Sequence, residues 1–166
     1  MAAPTTAKAA VEGIAPAAYA AAGLSVVAAL IHLWVAPEHL GHWWGYGAFF
    51  LIAAFAQGLA SVLVLRFPKS KPVLLAGIAG NLLIVVLYVI SSTWGMPFGA
   101  SWVPLDPTVA HLEDTELLGM TATAAEVGIV ISLAALLDGA SRRFAINALL
   151  LAGASLWALR LTGILP

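Results

Sequence analysis

His-Leu-Trp-Val-Ala-Pro-Glu-His-Leu-Gly-His-Trp-Trp (32–44) separates two long apolar runs, 16–36 and 45–65. It holds three of the chain's four histidines, one carboxylate and three of its six tryptophans. Each flanking run has close to the ~20 apolar residues that a helix needs to cross a hydrocarbon core. The stretch therefore reads as the outer rim of a helical hairpin embedded in a bilayer.

Three more runs of that kind follow, at 73–93, 115–137 and 145–164. The composition leaves little room for a water-facing domain. Hydrophobic residues make up 62% of the 166 and charged residues only 9%, with a mean hydropathy of +1.00. A soluble domain carries roughly a quarter charged residues, so lipid must solvate much of this surface. In lipid every backbone polar group is satisfied internally, which makes runs of Ala, Leu, Val and Ile helices rather than open sheet. The expected fold class is an all-α polytopic membrane bundle of five spans, with four spans plus a peripheral fifth helix as the alternative. Residues 1–14 are expected to form a flexible cytoplasmic tail, and 15–166 a single transmembrane domain. A cleaved signal peptide fits poorly, because the apolar run continues well past any small-residue cleavage site.

The loops give the orientation. Arg66, Lys69 and Lys71 lie between runs two and three, and Arg142 and Arg143 between runs four and five. The connections 37–44 and 94–114 hold neither Lys nor Arg. The positive-inside rule then places the N-terminus in the cytoplasm and the C-terminus outside, in a bacterial cytoplasmic membrane. All six tryptophans fall toward the outer face, where headgroups favour them. The formal net charge of −1 offers no electrostatic case for nucleic acid. The absence of cysteine removes disulfides, thiolate nucleophiles and iron–sulfur clusters. No motif sets a base beside a serine, so a Ser–His nucleophile is not expected.

Within the opening stretch, Pro37 disfavours a helical Ala36 and cannot donate to the preceding turn. The first span is expected to end near Ala36, with a new helix starting at Pro37 and Pro16 in the first span's opening turn. His39 and His42, three apart, share a face, and a tight hairpin would bring His32 close to both. His111, followed by Glu113, lies on the same outer side. Imidazole with carboxylate suits zinc, iron or copper(II), and several histidines on one membrane face could also hold haem. The candidate ligands are His32, Glu38, His39, His42, His111 and Glu113. The spacing His-x6-His-x2-His is not a specific metal signature, and a purely interfacial role for these residues stays open.

A second set lies deeper. Gln57, Asn81 and Glu126 each sit roughly 12–16 Å from the cytoplasmic end of their runs at ~1.5 Å per residue. Three polar groups at one depth can meet. Glu126 must face the bundle, since an ionised carboxylate at a helix centre costs about 2.5–3.5 kcal/mol on insertion scales. Either it is a neutral group locking helices together, or it carries a proton or cation. Tyr88, Trp43, Trp44 and Arg160 are possible ligand contacts, although Arg160 near a helix end can snorkel to the interface. Ala76/Gly80 and Gly119/Thr123 are expected helix-contact positions.

The segment 37–50, with Gly80-Asn81 and Met-Pro-Phe-Gly (96–99), resembles small polytopic membrane proteins of GC-rich bacteria. That resemblance implies the architecture and carries no functional residue. Three functions remain as expectations: an outward-facing metal or haem protein, for redox chemistry or metal handling; a small proton- or cation-coupled carrier built on Glu126, Gln57 and Asn81; and a non-catalytic accessory subunit of a membrane complex. Homo-oligomers and complex partners are compatible with each. No mid-span Gly/Pro break or inverted repeat supports the carrier.

Overall fold

A computed structural model describes residues 5–93 and 117–147, which are helical apart from short turns. Four long helices appear in order: α1 (Thr5–His42), α2 (Trp44–Arg66), α3 (Lys71–Thr93) and α4 (Leu117–Leu136). A fifth, α5, begins at residue 139 and continues to 147, the last described position. Among the described residues, four helices are long and apolar enough to cross a membrane, the α1 portion being Pro16–Gly41.

α1 does not stop at Pro37. Both Pro16 and Pro37 lie inside it, and it reaches His42 before a single residue, Trp43, links it to α2. Pro37 denies a donor to the Leu33 carbonyl, but membrane helices tolerate this where nearby groups re-satisfy the backbone. The His39 Nδ1–H one half-turn on reaches back to the Val35 carbonyl at 2.9 Å, a carbonyl that Pro37 leaves untouched. Trp43 itself is extended (φ −163°, ψ 134°), and its carbonyl accepts from Tyr46 N–H at 3.1 Å. The turn is so tight that a side chain at Gly45 would overlap the Trp43 indole, and one at Gly47 would overlap Leu40. Both glycines are required by close approach rather than by backbone freedom.

At the opposite end Phe67-Pro-Lys-Ser70 joins α2 to α3, with Phe67 N–H donating to the Leu63 carbonyl at 2.8 Å. Pro72 falls in α3's first turn, where its missing N–H has no ladder partner to lose. α4 runs antiparallel to α3: Gly119 lies against Tyr88 near one end of the pair, and Gly77 against Leu133 near the other. The result is an up-down-up-down four-helix bundle. α1 packs extensively on both α2 and α4, α4 packs on α3, and α2 and α3 touch least.

The inward stripes repeat every three or four residues. On α1 the stripe is Ala18, Ala21, Ala22, Ser25, Ala28, His32 and Ala36, small enough for neighbouring helices to approach closely. On α2 it is Gly47, Ala53, Gln57, Ser61 and Val64. α3 contributes Leu74, Ile78 and Asn81, and α4 contributes Ala122, Ala125, Glu126, Ile129, Val130 and Leu133. Large apolar side chains such as Trp34, Ile52, Phe55, Val62, Leu83 and Ile131 point outward and are exposed. A bilayer is the environment that such a surface fits.

The expected contact pair Ala76/Gly80 is displaced by one position. Both residues are exposed and Gly80 has nothing near it, whereas Gly77 would meet Leu133 at 2.7 Å. Residue 77 lies one turn below Asn81 and shares its inward face. Gly119, by contrast, packs on Tyr88 as its small size suggested, and Thr123 donates to the Gly119 carbonyl at 2.9 Å.

Candidate functional site

One polar residue of each inward stripe joins a single buried cluster: His32 on α1, Gln57 on α2, Asn81 on α3 and Glu126 on α4. Their exposures are 4%, 3%, 3% and 1%. Gln57, Asn81 and Glu126 are nine or ten residues from the helix ends at Arg66, Lys71 and Leu136. That is roughly 14–15 Å at ~1.5 Å per residue, so the three share one level. His32 joins them because α1 runs on to His42 instead of ending near Ala36. The sequence places it one turn below the end of the first span beside His39 and His42, and the structure pairs it with Glu126 instead.

Contacts bind the four into one network. His32 Nε2 lies 2.8 Å from Glu126 Oε1. Asn81 Nδ2 donates to the Gly77 carbonyl at 2.8 Å, which turns Asn81 Oδ1 toward α2. Gln57 must then present its amide nitrogen, which donates to Asn81 Oδ1 at 3.2 Å and to Glu126 Oε1 at 3.3 Å. The helix carbonyl at Gly77 thus sets both amide orientations. Glu126 Oε1 receives Gln57 and faces His32 together, an arrangement suited to a carboxylate or to a carboxyl sharing its proton with imidazole. Two polar atoms of the cluster, His32 Nδ1 and Gln57 Oε1, are buried without a hydrogen-bond partner in the described structure. An orphaned polar atom in a low-dielectric interior is costly.

Phe50 connects this interior to the α1–α2 turn. Its ring centroid is 5.5 Å from that of His32 and 4.3 Å from that of His39. The two imidazoles therefore flank an aromatic ring rather than a common ion. Among the described residues no group of three or more His, Cys, Asp or Glu is placed to hold a metal. Glu38 is exposed. The side chain of His42, and all of His111, Glu113 and Arg160, lie outside the described residues, and with them most of the rim centre expected from the sequence. Trp43 and Trp44 pack on each other at 5.4 Å, and Trp43 also meets Tyr46 edge-on at 5.0 Å. These contacts build the turn. Tyr88 seats its ring on Gly119 and buries an unpartnered hydroxyl, but no contact joins it to the four-residue network.

No family model, curated protein or solved structure matches this chain.

Sequence reasoning brought Gln57, Asn81 and Glu126 together, singled out His32 only as a ligand beside His39 and His42, and missed Phe50. A signal for His32 was present. Ala18, Ala21, Ser25, Ala28 and Ala36 are small residues at helical spacing, and position 32 falls on their stripe. Phe50 lies seven residues before Gln57, two turns along the same face.

Proposed function

We propose that this protein is a small proton-coupled membrane carrier whose His32–Glu126 pair takes up and releases one proton inside the bilayer. Gln57 and Asn81 hold the carboxylate's acceptor geometry. The 2.8 Å contact between a buried imidazole and a buried carboxylate on neighbouring helices is the observation that carries this reading. Intramembrane ionisable residues are functional by default, and chains of Glu and His are the usual proton relays there. A lone structural hydrogen bond between helices would not need two titratable groups.

The chain would cross a bacterial cytoplasmic membrane five times, N-terminus in and C-terminus out, with α5 opening the fifth span. The support is the loop bias. Arg66, Lys69 and Lys71 flank the α2–α3 turn and Arg142 and Arg143 lie on α5, while the α1–α2 turn has no cation. Because the chain has no cysteine, single cysteines can be read without background. Gly41→Cys should react with an impermeant maleimide added outside whole cells, and Lys69→Cys only after permeabilisation.

The functional test follows the proton directly. The protein in lipid nanodiscs should show a protonated-carboxyl infrared band that titrates with pH and is lost in Glu126→Gln. Proteoliposomes given a pH gradient and a counter-ion pathway should take up protons faster with the natural chain than with Glu126→Gln. An absent band together with equal proton uptake would remove the proposal. An outward metal or haem centre remains the other reading. It would be built from His39, His42, His111 and Glu113 without His32, and elemental analysis with an absorption spectrum tests it.

A further inference from the structure

We propose that the α2–α3 turn and the start of α5 together hold the headgroup of one acidic phospholipid, between Lys69 and Lys71 on one side and Arg142 and Arg143 on the other. The proposal needs only a bundle embedded in lipid and is independent of the His32–Glu126 pair.

Five cations stand at one end of the bundle. Arg66, Lys69 and Lys71 surround the α2–α3 turn, Arg142 and Arg143 lie near the start of α5, and all five are exposed. The fold makes the two groups neighbours, since α3 and α4 separate them in sequence. Val64, Leu74 and Ala145, each two or three residues from one of these cations, belong to one buried cluster. Asp138, whose carboxyl is held low chiefly by the Ser141 N–H, also feels the charge of Lys71. The α4–α5 turn therefore sits beside the α2–α3 turn.

The charge at this end is unbalanced. Asp138 is its one acid among the described side chains, and Ser141 and Ala140 already occupy both carboxylate oxygens. Lys8 and Glu12, ahead of the first span, cancel each other, and residues 148–166 carry Arg160 and no acid. Asp106, Glu113, Asp114 and Glu116 lie in the connection from Thr93 to Leu117, the far ends of α3 and α4. Gathered like charges repel one another unless an anion joins them.

Depth says which anion. α2 and α3 have 23 residues each, about 35 Å at ~1.5 Å per residue, slightly more than the ~30 Å hydrocarbon core. With Trp44 at one boundary, Arg66 and Lys71 emerge at the other, among lipid phosphates. Phe67 and Phe144, both exposed, adjoin the cations in sequence, and the Arg66 guanidinium lies 5.7 Å from the Phe67 ring centre. Rings beside cations suit the level where acyl chain meets phosphate, whereas a soluble phosphate ligand would leave them in water. Guanidinium and ammonium groups both bind phosphate oxygens. A zwitterionic headgroup brings its own cation and neutralises nothing, so the fit is to a headgroup such as phosphatidylglycerol.

The probes are phosphatidylglycerol and phosphatidylcholine of equal acyl length. Full-length protein in detergent micelles holding both in equal amount is passed intact into a mass spectrometer, and retained lipids are counted by mass. Attraction to an acidic membrane surface is worth about fivefold per Lys or Arg. One cation engaged from each turn thus predicts one phosphatidylglycerol held about 25-fold more tightly than phosphatidylcholine. Lys69→Gln with Lys71→Gln, and separately Arg142→Gln with Arg143→Gln, should each weaken that single lipid at least about fivefold. The fourfold variant should show no preference. Lys69→Arg with Lys71→Arg should keep it, and far-UV circular dichroism should show every variant as helical as the natural chain. Equal retention of the two lipids by the natural chain would overturn the proposal, as would a preference that survives in the fourfold variant. Two phosphatidylglycerols, each lost with its own pair of cations, would overturn the shared headgroup. Displacement of the lipid by excess glycerol phosphate would overturn the lipid assignment in favour of a soluble phosphate ligand.

Discussion

Truncating the His32–Glu126 pair one residue at a time and then together should reveal a favourable coupling. In Glu126→Leu, Oε1 disappears from two neighbours at once, leaving His32 Nε2 and Gln57 Nε2 without the acceptor they share at 2.8 and 3.3 Å. Hydrogen bonds between membrane helices average about 0.6 kcal/mol in double-mutant cycles and reach about 1.7. Bonds to a charged partner are worth about 1.5–3 kcal/mol in general. The single substitution should therefore destabilise the bundle by about 1–3 kcal/mol. His32→Leu removes only one of the two contacts and also relieves the orphaned Nδ1, so it should cost less. The double variant should then be more stable than the sum of the two losses implies, by about 1–2 kcal/mol. Reversible unfolding in mixed detergent–lipid micelles, followed by the far-UV circular dichroism of the helices, gives all four corners of the cycle. A coupling within about 0.3 kcal/mol of zero, the usual scatter for independent sites, would mean that α1 and α4 do not place these side chains together.

Two further outcomes follow from packing and capping. Gly128→Leu should destabilise the bundle by about 1–3 kcal/mol as overpacking does, because a Cβ there already meets Leu24 at 2.8 Å across the α1–α4 contact; Gly80→Ala, with open space around it, should unfold like the natural chain in the same detergent titration. Asp138 caps α5. The Ser141 backbone N–H above all, then the Ser141 hydroxyl, holds its carboxyl below the usual carboxylate range against the opposing effect of desolvation, with smaller help from Lys71 and the Ala140 N–H. A carboxyl depressed in the folded state stabilises above its unfolded pKa, and that contribution fades as pH falls through the folded value. Hydrogen-exchange protection at Ala140 and Ser141 should accordingly drop on acidification. Asp138→Asn should keep the cap without that acid sensitivity, Asp138→Ala should lose protection at every pH, and an acid-insensitive natural chain would contradict the assignment.

The secondary structure was legible because length and apolarity alone oblige a lipid-solvated segment to be helical. Runs 45–65 and 73–93 match α2 and α3 to within two residues at each end. The hairpin turn at Trp43 was legible in outline from the rim stretch. Its local detail was misread, since Pro37 breaks a helix in water more readily than inside a membrane bundle, and α1 runs through it. Treating Pro37 as a terminus then grouped His32 with His39 and His42 rather than with Glu126. The depth of Gln57, Asn81 and Glu126 could be counted along the chain, because rise per residue is fixed.

Facing could not be counted. In a soluble helix the polar side marks the exterior, but a helix apolar all round carries no such mark, and the four long helices here are of that kind. Lipid and bundle interior are equally apolar solvents, so the inward stripe is chosen by close packing of Ala, Gly and Ser and by the need of a few polar groups for one another. The amino-acid sequence by itself determined that lipid-compatible helices form and how deep each polar residue lies. Only the tertiary structure decided that His32 turns to Glu126, that Gln57 is held by Asn81 through the Gly77 carbonyl, and that Nδ1 and Oε1 are left facing no partner. Those choices depend on helices brought together from distant parts of the chain, the His32–Glu126 contact alone spanning 94 positions.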